Sequence, residues 1–169
     1  MGTRVIILNS AARKNGNTAK LVEAFAEGAK SAGNRVDVFY LDAMEIHSCK
    51  GCLRARKDSR RPCSQTDDMD QIYEVFEAAD VVAFASPVYF WTITGTLKTA
   101  ADRLYAELEC LGYGGFPKKS VLLMTADGGD YSQAVTWYRT YERNLGWTNL
   151  GKVLGKGKTS EAYRLGASV

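Results

Sequence analysis

Short apolar runs alternate with longer amphipathic stretches along the whole chain, and few folds accept that alternation. Val5-Ile6-Ile7-Leu8 has no polar residue in it, so both faces of the strand it predicts must be covered. From Thr18, the residues Leu21, Val22, Phe25, Ala26 and Ala29 share one helix face. Gly33-Asn34 stops that helix, and Val36, Val38 and Tyr40 alternate as a second strand. Met69, Ile72, Tyr73, Val75 and Phe76 predict a helix from near Thr66, followed by a strand at Val81-Val82-Ala83-Phe84-Ala85. Leu97, Ala100, Ala101, Leu104 and Leu108 mark a third helix. Val121-Leu122-Leu123-Met124 is a fourth strand, and a fourth helix runs from about Ser132 to Leu145. Val153-Leu154 is a short fifth strand, and a small helix from Ser160 to about Leu165 ends the chain. The pattern is that of an α/β protein: a doubly wound, five-stranded parallel sheet in three layers.

The length, 169 residues, suits one domain over 1–169. A composition of 46% hydrophobic and 24% charged residues excludes a disordered chain and a pure coiled coil. With 22 Lys and Arg against 19 Asp and Glu, the net charge of +3 is too small to argue for nucleic acid. No apolar run approaches the roughly 18 residues that span a bilayer, so no membrane partner is expected. Met1-Gly2-Thr3-Arg4 runs straight into the first strand without the features of a secretory signal, so a cytoplasmic protein is expected. Cys49, Cys52, Cys63 and Cys110 are then reduced thiols, metal ligands or redox groups rather than structural disulfides.

In such a sheet, ligands bind beyond the C-terminal strand ends, near the point where strand order reverses. The loop after the first strand, Asn9 to Thr18, contains no carboxylate and opens a helix. Its hydroxyls, amides and cations, with a helix N-terminus, suit a phosphate. The same residues also serve as a turn bent at Asn15-Gly16 with Thr18 capping the helix. It is neither G-x-G-x-x-G nor a P-loop. The third-strand loop, Ala85 to Thr94, places Tyr89, Phe90 and Trp91 on a rim that normally faces water. They either stack on a flat ring system or cover the sheet end or a subunit contact. The fourth-strand loop, with Asp127, Gly128, Gly129 and Asp130, is glycine-rich and either approaches a ligand through its backbone or is a turn.

Taken together, these loops resemble those of the flavodoxin-like NAD(P)H-dependent FMN reductases and the related iron–sulfur flavoproteins. The matching stretches are 9–18, Asp67-Asp68-Met69, Ser86-Pro87-Val88-Tyr89-Phe90, Gly95-Thr96-Leu97-Lys98, Asp102-Arg103, Leu145-Gly146-Trp147 and 162–166. The resemblance implies strand order 2-1-3-4-5, bound FMN, and NADPH or NADH as reductant. It implies that Ser10, Arg13, Asn15, Asn17 and Thr18 hold the FMN phosphate. Pro87, Val88, Tyr89, Phe90 and Trp91 then frame the ring, and Asp127, Gly128 and Gly129 complete the pocket. A homodimer or higher homo-oligomer is also implied. Classical flavodoxins are less similar, being typically acidic.

The stretch from about Ser48 to Gln65 is too long for an ordinary connection. The iron–sulfur members of the family carry a run of four cysteines here. This chain has Cys49 and Cys52, Ala55 where the third would stand, and Cys63 where the fourth would. Three thiolates fall short of the usual four for a four-iron cluster. A zinc site with His47 and a Cys49–Cys52 dithiol are further readings. The favoured one is a relic of a cluster loop, with no metal. Lys50, Arg54, Arg56, Lys57, Arg60 and Arg61 make the loop basic, against Asp58 alone. It is either a solvated loop or an attractor for the phosphates of NAD(P)H or an acidic electron-transfer protein. His47 is the only histidine, so no hydrolytic relay exists elsewhere, and no catalytic side chain is assigned.

The function expected is an FMN-dependent oxidoreductase that takes hydride from NAD(P)H and passes electrons to an unknown small-molecule or protein acceptor. An electron-transfer flavoprotein without a small substrate is the alternative. A regulatory module that has lost FMN is a third.

Overall fold

The computed structural model describes residues 2–54, 58, 60–112 and 117–169. Ala55, Arg56 and Lys57, singled out above, lie outside the described residues. Five strands form one parallel sheet: β1 (Arg4–Asn9), β2 (Arg35–Tyr40), β3 (Val81–Pro87), β4 (Lys119–Thr125) and β5 (Thr148–Leu154). Their order is 2-1-3-4-5, as expected. Strand order therefore reverses between β1 and β3, and the crevice of a doubly wound sheet opens there.

The continuous apolar runs have a simple physical outcome. Side chains alternate across a strand, so Val5 and Ile7 face one layer while Ile6 and Leu8 face the other, and all four are fully buried. The layer under Val5 and Ile7 contains α1 (Asn17–Ser31) and α6 (Thr159–Ala167). These two helices pack unusually close. A Cβ on Gly28 would sit 2.1 Å from the Tyr163 carbonyl oxygen, and one on Gly166 would sit 2.1 Å from that of Phe25. The layer under Ile6 and Leu8 contains α2 (Met69–Glu77), α3 (Gly95–Arg103) and α5 (Ser132–Leu145), through Ile72, Phe76, Leu97 and Tyr138.

Three expected elements change. The third helix breaks at Leu104 into α3 and a short α4 (Tyr105–Leu111). The hydroxyl of buried Tyr73 donates to the Arg103 carbonyl at 2.8 Å, while the Glu107 N–H turns to the Leu104 carbonyl at 3.1 Å. That removes one turn of the α pattern. Helix α2 starts at Met69 rather than near Thr66, because the Asp67 carboxylate first accepts the Met69 N–H at 3.1 Å and holds a turn. Strand β5 is seven residues rather than two, an edge strand whose Asn149, Gly151 and Lys152 hide it from an apolar search. No helix of the described residues is long and apolar enough to cross a membrane.

Candidate functional site

Helix α1 begins at Asn17 with Gly16 as its N-cap, and no side chain caps it. Thr18 is therefore not the cap. It lies inside the first turn, 3% exposed, with its hydroxyl 2.6 Å from that of Thr125 at the end of β4. The first N–H groups of a fifteen-residue helix are left without a side-chain acceptor at the reversal point of the sheet. The turn that leads in is closed by the Gly16 N–H donating to the Arg13 carbonyl at 2.9 Å. A Cβ at Gly16 would lie 3.0 Å from that carbonyl oxygen, so glycine keeps the curl tight.

One crevice joins this turn to the ends of β3 and β4. Arg13, Gly16, Asn17 and Thr18 line it from the first loop, Pro87, Val88 and Tyr89 from the third strand, and Thr125, Ala126 and Asp127 from the fourth. Lys156, just beyond β5, completes the lining. Thus seven of the sequence-predicted residues meet: Arg13, Asn17, Thr18, Pro87, Val88, Tyr89 and Asp127. Ser10 lies beneath the crevice, 2% exposed, and both its N–H and its hydroxyl donate to the Ala85 carbonyl at 2.9 and 3.0 Å. It ties the first loop to β3. Asn15, Phe90, Trp91, Gly128 and Gly129 are exposed or open positions outside the lining. Gly129 has φ +75, a left-handed turn that favours glycine.

The third-strand loop is a tight hairpin. The Tyr89 N–H donates to the Thr92 carbonyl at 3.0 Å, and the Thr92 N–H returns to Tyr89 at 3.2 Å. Its two central residues, Phe90 and Trp91, have φ values of 50 and 70. Such a turn normally takes Asn-Gly, because a bulky side chain is strained at positive φ. Phe90 is 88% exposed and its ring rests 4.5 Å from that of Trp91. The pattern of strain with exposure fits a surface that meets a ligand or partner.

Thr125 and Lys156 were not legible as site residues. Thr18 and Thr125 lie 107 positions apart in sequence. Lys156 forms an ion pair with Asp127, which holds the Asp127 carboxyl below its usual range, with a smaller contribution from Arg13. The signal that would have found it is Gly155-Lys156-Gly157 at the same strand-end rim.

The cysteine stretch lies elsewhere. Cys49, Cys52 and Cys63 line one small hollow with Arg103 and Tyr105. The Gly51 N–H donates to the Cys49 sulfur at 3.4 Å and the Gln65 N–H to Cys63 at 3.5 Å. The Cys52 thiol is drawn below its usual value by the Ser64 hydroxyl and the Arg54 backbone N–H. His47 turns its Nδ1 to Asp67 Oδ2, at 3.3 Å, rather than to the sulfurs. Among the described residues no group of three His, Cys, Asp or Glu converges on a metal position. An apolar hollow of about 450 Å³, lined by Phe76, Leu104, Leu108, Tyr141 and Leu145, adjoins Cys49.

Sheet order and crevice together define a flavodoxin-like protein with a ligand crevice at its β1/β3 switch point. The family model described as NADPH-dependent FMN reductase matches residues 3–153, and the chain belongs to that family. An iron–sulfur flavoprotein of Archaeoglobus fulgidus is 34% identical over 100 residues, covering 59% of this chain and 48% of that protein. An FMN-dependent NADH:quinone oxidoreductase of Stenotrophomonas maltophilia is 28% identical over 108 residues, 60% of this chain and 53% of that protein. The chain spans about half the length of these curated relatives. The solved NAD(P)H:quinone oxidoreductase from Methanothermobacter marburgensis superposes with a TM-score of 0.75 at 20% identity, over 99% of this chain and 97% of that one, and shows the shared fold.

The donor set fits FMN. An uncapped helix terminus, Arg13 and Asn17 suit a phosphate, and an apolar strand-end loop suits a flat ring. The residues do not fit a four-thiolate cluster. The loop contributes three cysteines, one short of the four thiolates such a cluster takes.

Proposed function

We propose that the protein is an FMN-dependent oxidoreductase that accepts hydride from NADPH or NADH and passes electrons to a small-molecule or protein acceptor. The observation that carries this reading is the uncapped N-terminus of α1 opening into a crevice with Arg13 and no acid in its own loop. The backbone N–H groups of Asn17 and Thr18, with the side chains of Arg13 and Asn17, hold phosphate there. Thr18 acts with Thr125, whose hydroxyl fixes it against β4. Pro87, Val88 and Tyr89 shape one side of the ring site, and Phe90 and Trp91 extend it outward. Gly128 and Gly129 follow on the other side of the ring site in a loop with little side-chain bulk, while Asp127 lies at the phosphate end with Arg13. When bound, the flavin supplies the hydride chemistry, and the protein positions it and excludes water. No side chain of the crevice is required as an acid or base for hydride transfer. A homodimer that covers the exposed Tyr89-Phe90-Trp91 turn agrees with its apolar surface. Four unpaired cysteines suit a reducing, cytoplasmic setting.

A carrier role is the second reading. It is favoured by the exposed cations Lys50, Arg54, Arg60 and Arg61, which suit an acidic protein partner.

The test is a titration with FMN and with riboflavin, which lacks the phosphate. Wild type is expected to bind FMN more tightly. Arg13→Ala is expected to weaken FMN by about 1–3 kcal/mol and to leave riboflavin unchanged. Equal losses for both ligands would remove the phosphate assignment.

A further inference from the structure

The crevice contains a carboxylate that should repel the ligand assigned to it. Asp127 lines the same space as Arg13 and the α1 terminus, and its side chain is 92% exposed to it and to solvent. A phosphate monoester brings close to two negative charges. Without another cation, Arg13 and Asp127 cancel, and the lining offers only the helix terminus.

Lys156 removes that conflict. It is set by the backbone rather than by chance. The Gly155 N–H donates to the Met124 carbonyl at 2.9 Å, which carries the pairing with β4 past the end of β5. Gly155 has φ +138 and Gly157 φ +74, conformations that favour glycine and turn the chain back over the sheet end. The Lys158 stem fills the place where a Gly155 Cβ would project, with Cε 3.2 Å away. Lys156 is thereby held beside the Asp127 carboxylate and pairs with it. An ion pair this exposed adds little to fold stability. Its placement at a ligand crevice is what requires explanation.

We propose that Lys156 is a specificity-determining residue of the crevice: by neutralising Asp127 it gives the phosphate end a net positive charge and so selects phosphorylated flavin over riboflavin. The proposal rests on the FMN reading above. It assigns Lys156 an effect on charge through Asp127, distinct from direct contact with phosphate.

The experiment is a set of binding titrations at low salt, using FMN and riboflavin as probes. The proteins are wild type, Lys156→Gln, Asp127→Asn and the double variant. Lys156→Gln is expected to weaken FMN about tenfold and to leave riboflavin within about twofold, as befits a lost charge near a charged ligand. The FMN loss should shrink as salt rises. Asp127→Asn is expected to bind FMN at least as well as wild type. The double variant, with neither charge, is expected to recover to within about threefold of wild type. Recovery with riboflavin unchanged supports the proposal. If Lys156→Gln binds FMN like wild type, or if the double variant stays as weak as Lys156→Gln, the proposal is overturned while FMN binding itself stands. If wild type binds FMN no better than riboflavin, the functional reading falls with it.

Discussion

The Arg103 guanidinium lies across the Asp67 carboxylate, Nη1 at 2.5 Å from Oδ2 and Nη2 at 3.1 Å from Oδ1. Both side chains are almost wholly buried, at 0% and 2% exposure. Arg103 also donates to the His47 carbonyl at 2.8 Å, and Asp67 accepts the N–H groups of His47 and Met69 at 3.0 and 3.1 Å. One fork thus pins both ends of the cysteine stretch to helix α3. Asp67 and Arg103 belong to two of the short stretches that carry the family resemblance, and their pairing gives those stretches a structural reason.

Removing one partner leaves the other charge buried. Asp67→Asn and Arg103→Met are each expected to cost about 3–5 kcal/mol. Burial opposes ionisation of Asp67, but the Arg103 fork and the two N–H donors outweigh it and bring its pKa from 3.8 to about 2. The unfolded chain therefore binds a proton that the folded chain does not. The contribution is complete above about pH 4 and is lost as pH falls through about 2. Urea unfolding between pH 2 and 7 checks both statements. A midpoint in Asp67→Asn equal to that of wild type at pH 7 would contradict them.

Glu107 is the opposite case. Its side chain is fully buried, neither oxygen has a hydrogen-bond partner among the described residues, and its pKa is pushed up to about 8. Burial is the main cause, the Glu77 carboxylate adds to it, and Lys118 opposes it. The folded chain holds the proton that the unfolded chain releases near pH 4.5. Stability is then full below that pH and falls as pH rises toward about 8. Glu107→Gln is expected to match wild type near pH 5 and to melt higher at pH 9. Parallel melting curves at both pH values would contradict this.

Much of the fold was legible because strands covered on both faces leave uninterrupted apolar runs, as in Val5 to Leu8 and Val121 to Met124. The strand-end loops were legible for a chemical reason: a loop without acids before a helix, and three aromatics where water is expected. What was not legible depends on partners far away in sequence. The break at Leu104 is set by the Tyr73 hydroxyl, 30 positions away from the carbonyl it binds. The place of Lys156 depends on β5, whose polar residues concealed most of its length. The strained geometry at Phe90-Trp91 had no local signal, since tight hairpins announce themselves through Asn and Gly.

That hairpin predicts a conflict between stability and binding. Replacing Phe90-Trp91 by Asn-Gly relieves two left-handed bulky residues, at about 1–2 kcal/mol each. The double variant is expected to raise the urea midpoint and to weaken FMN binding. A variant that is no more stable, or one that binds FMN as before, would show that the strain serves no ligand.

The thiols should differ in reactivity. Cys52 is exposed and its thiol is lowered by Ser64 and Arg54, whereas Cys63 is buried and the Cys110 thiol is pushed up by burial. Iodoacetamide at neutral pH is expected to label Cys52 well before Cys63 or Cys110, as read by peptide mass spectrometry. Anaerobically purified protein is expected to contain no stoichiometric iron or sulfide, since the loop has three cysteines. About four irons per chain would contradict the donor count.

Anaerobic stopped-flow mixing of the FMN-loaded protein with NADPH and, separately, with NADH decides whether the bound flavin accepts hydride. Complete bleaching of the flavin band by at least one nicotinamide is expected, at a rate that saturates with its concentration. A flavin band that stays unchanged with both reductants while dithionite bleaches it would contradict an oxidoreductase fed by NAD(P)H.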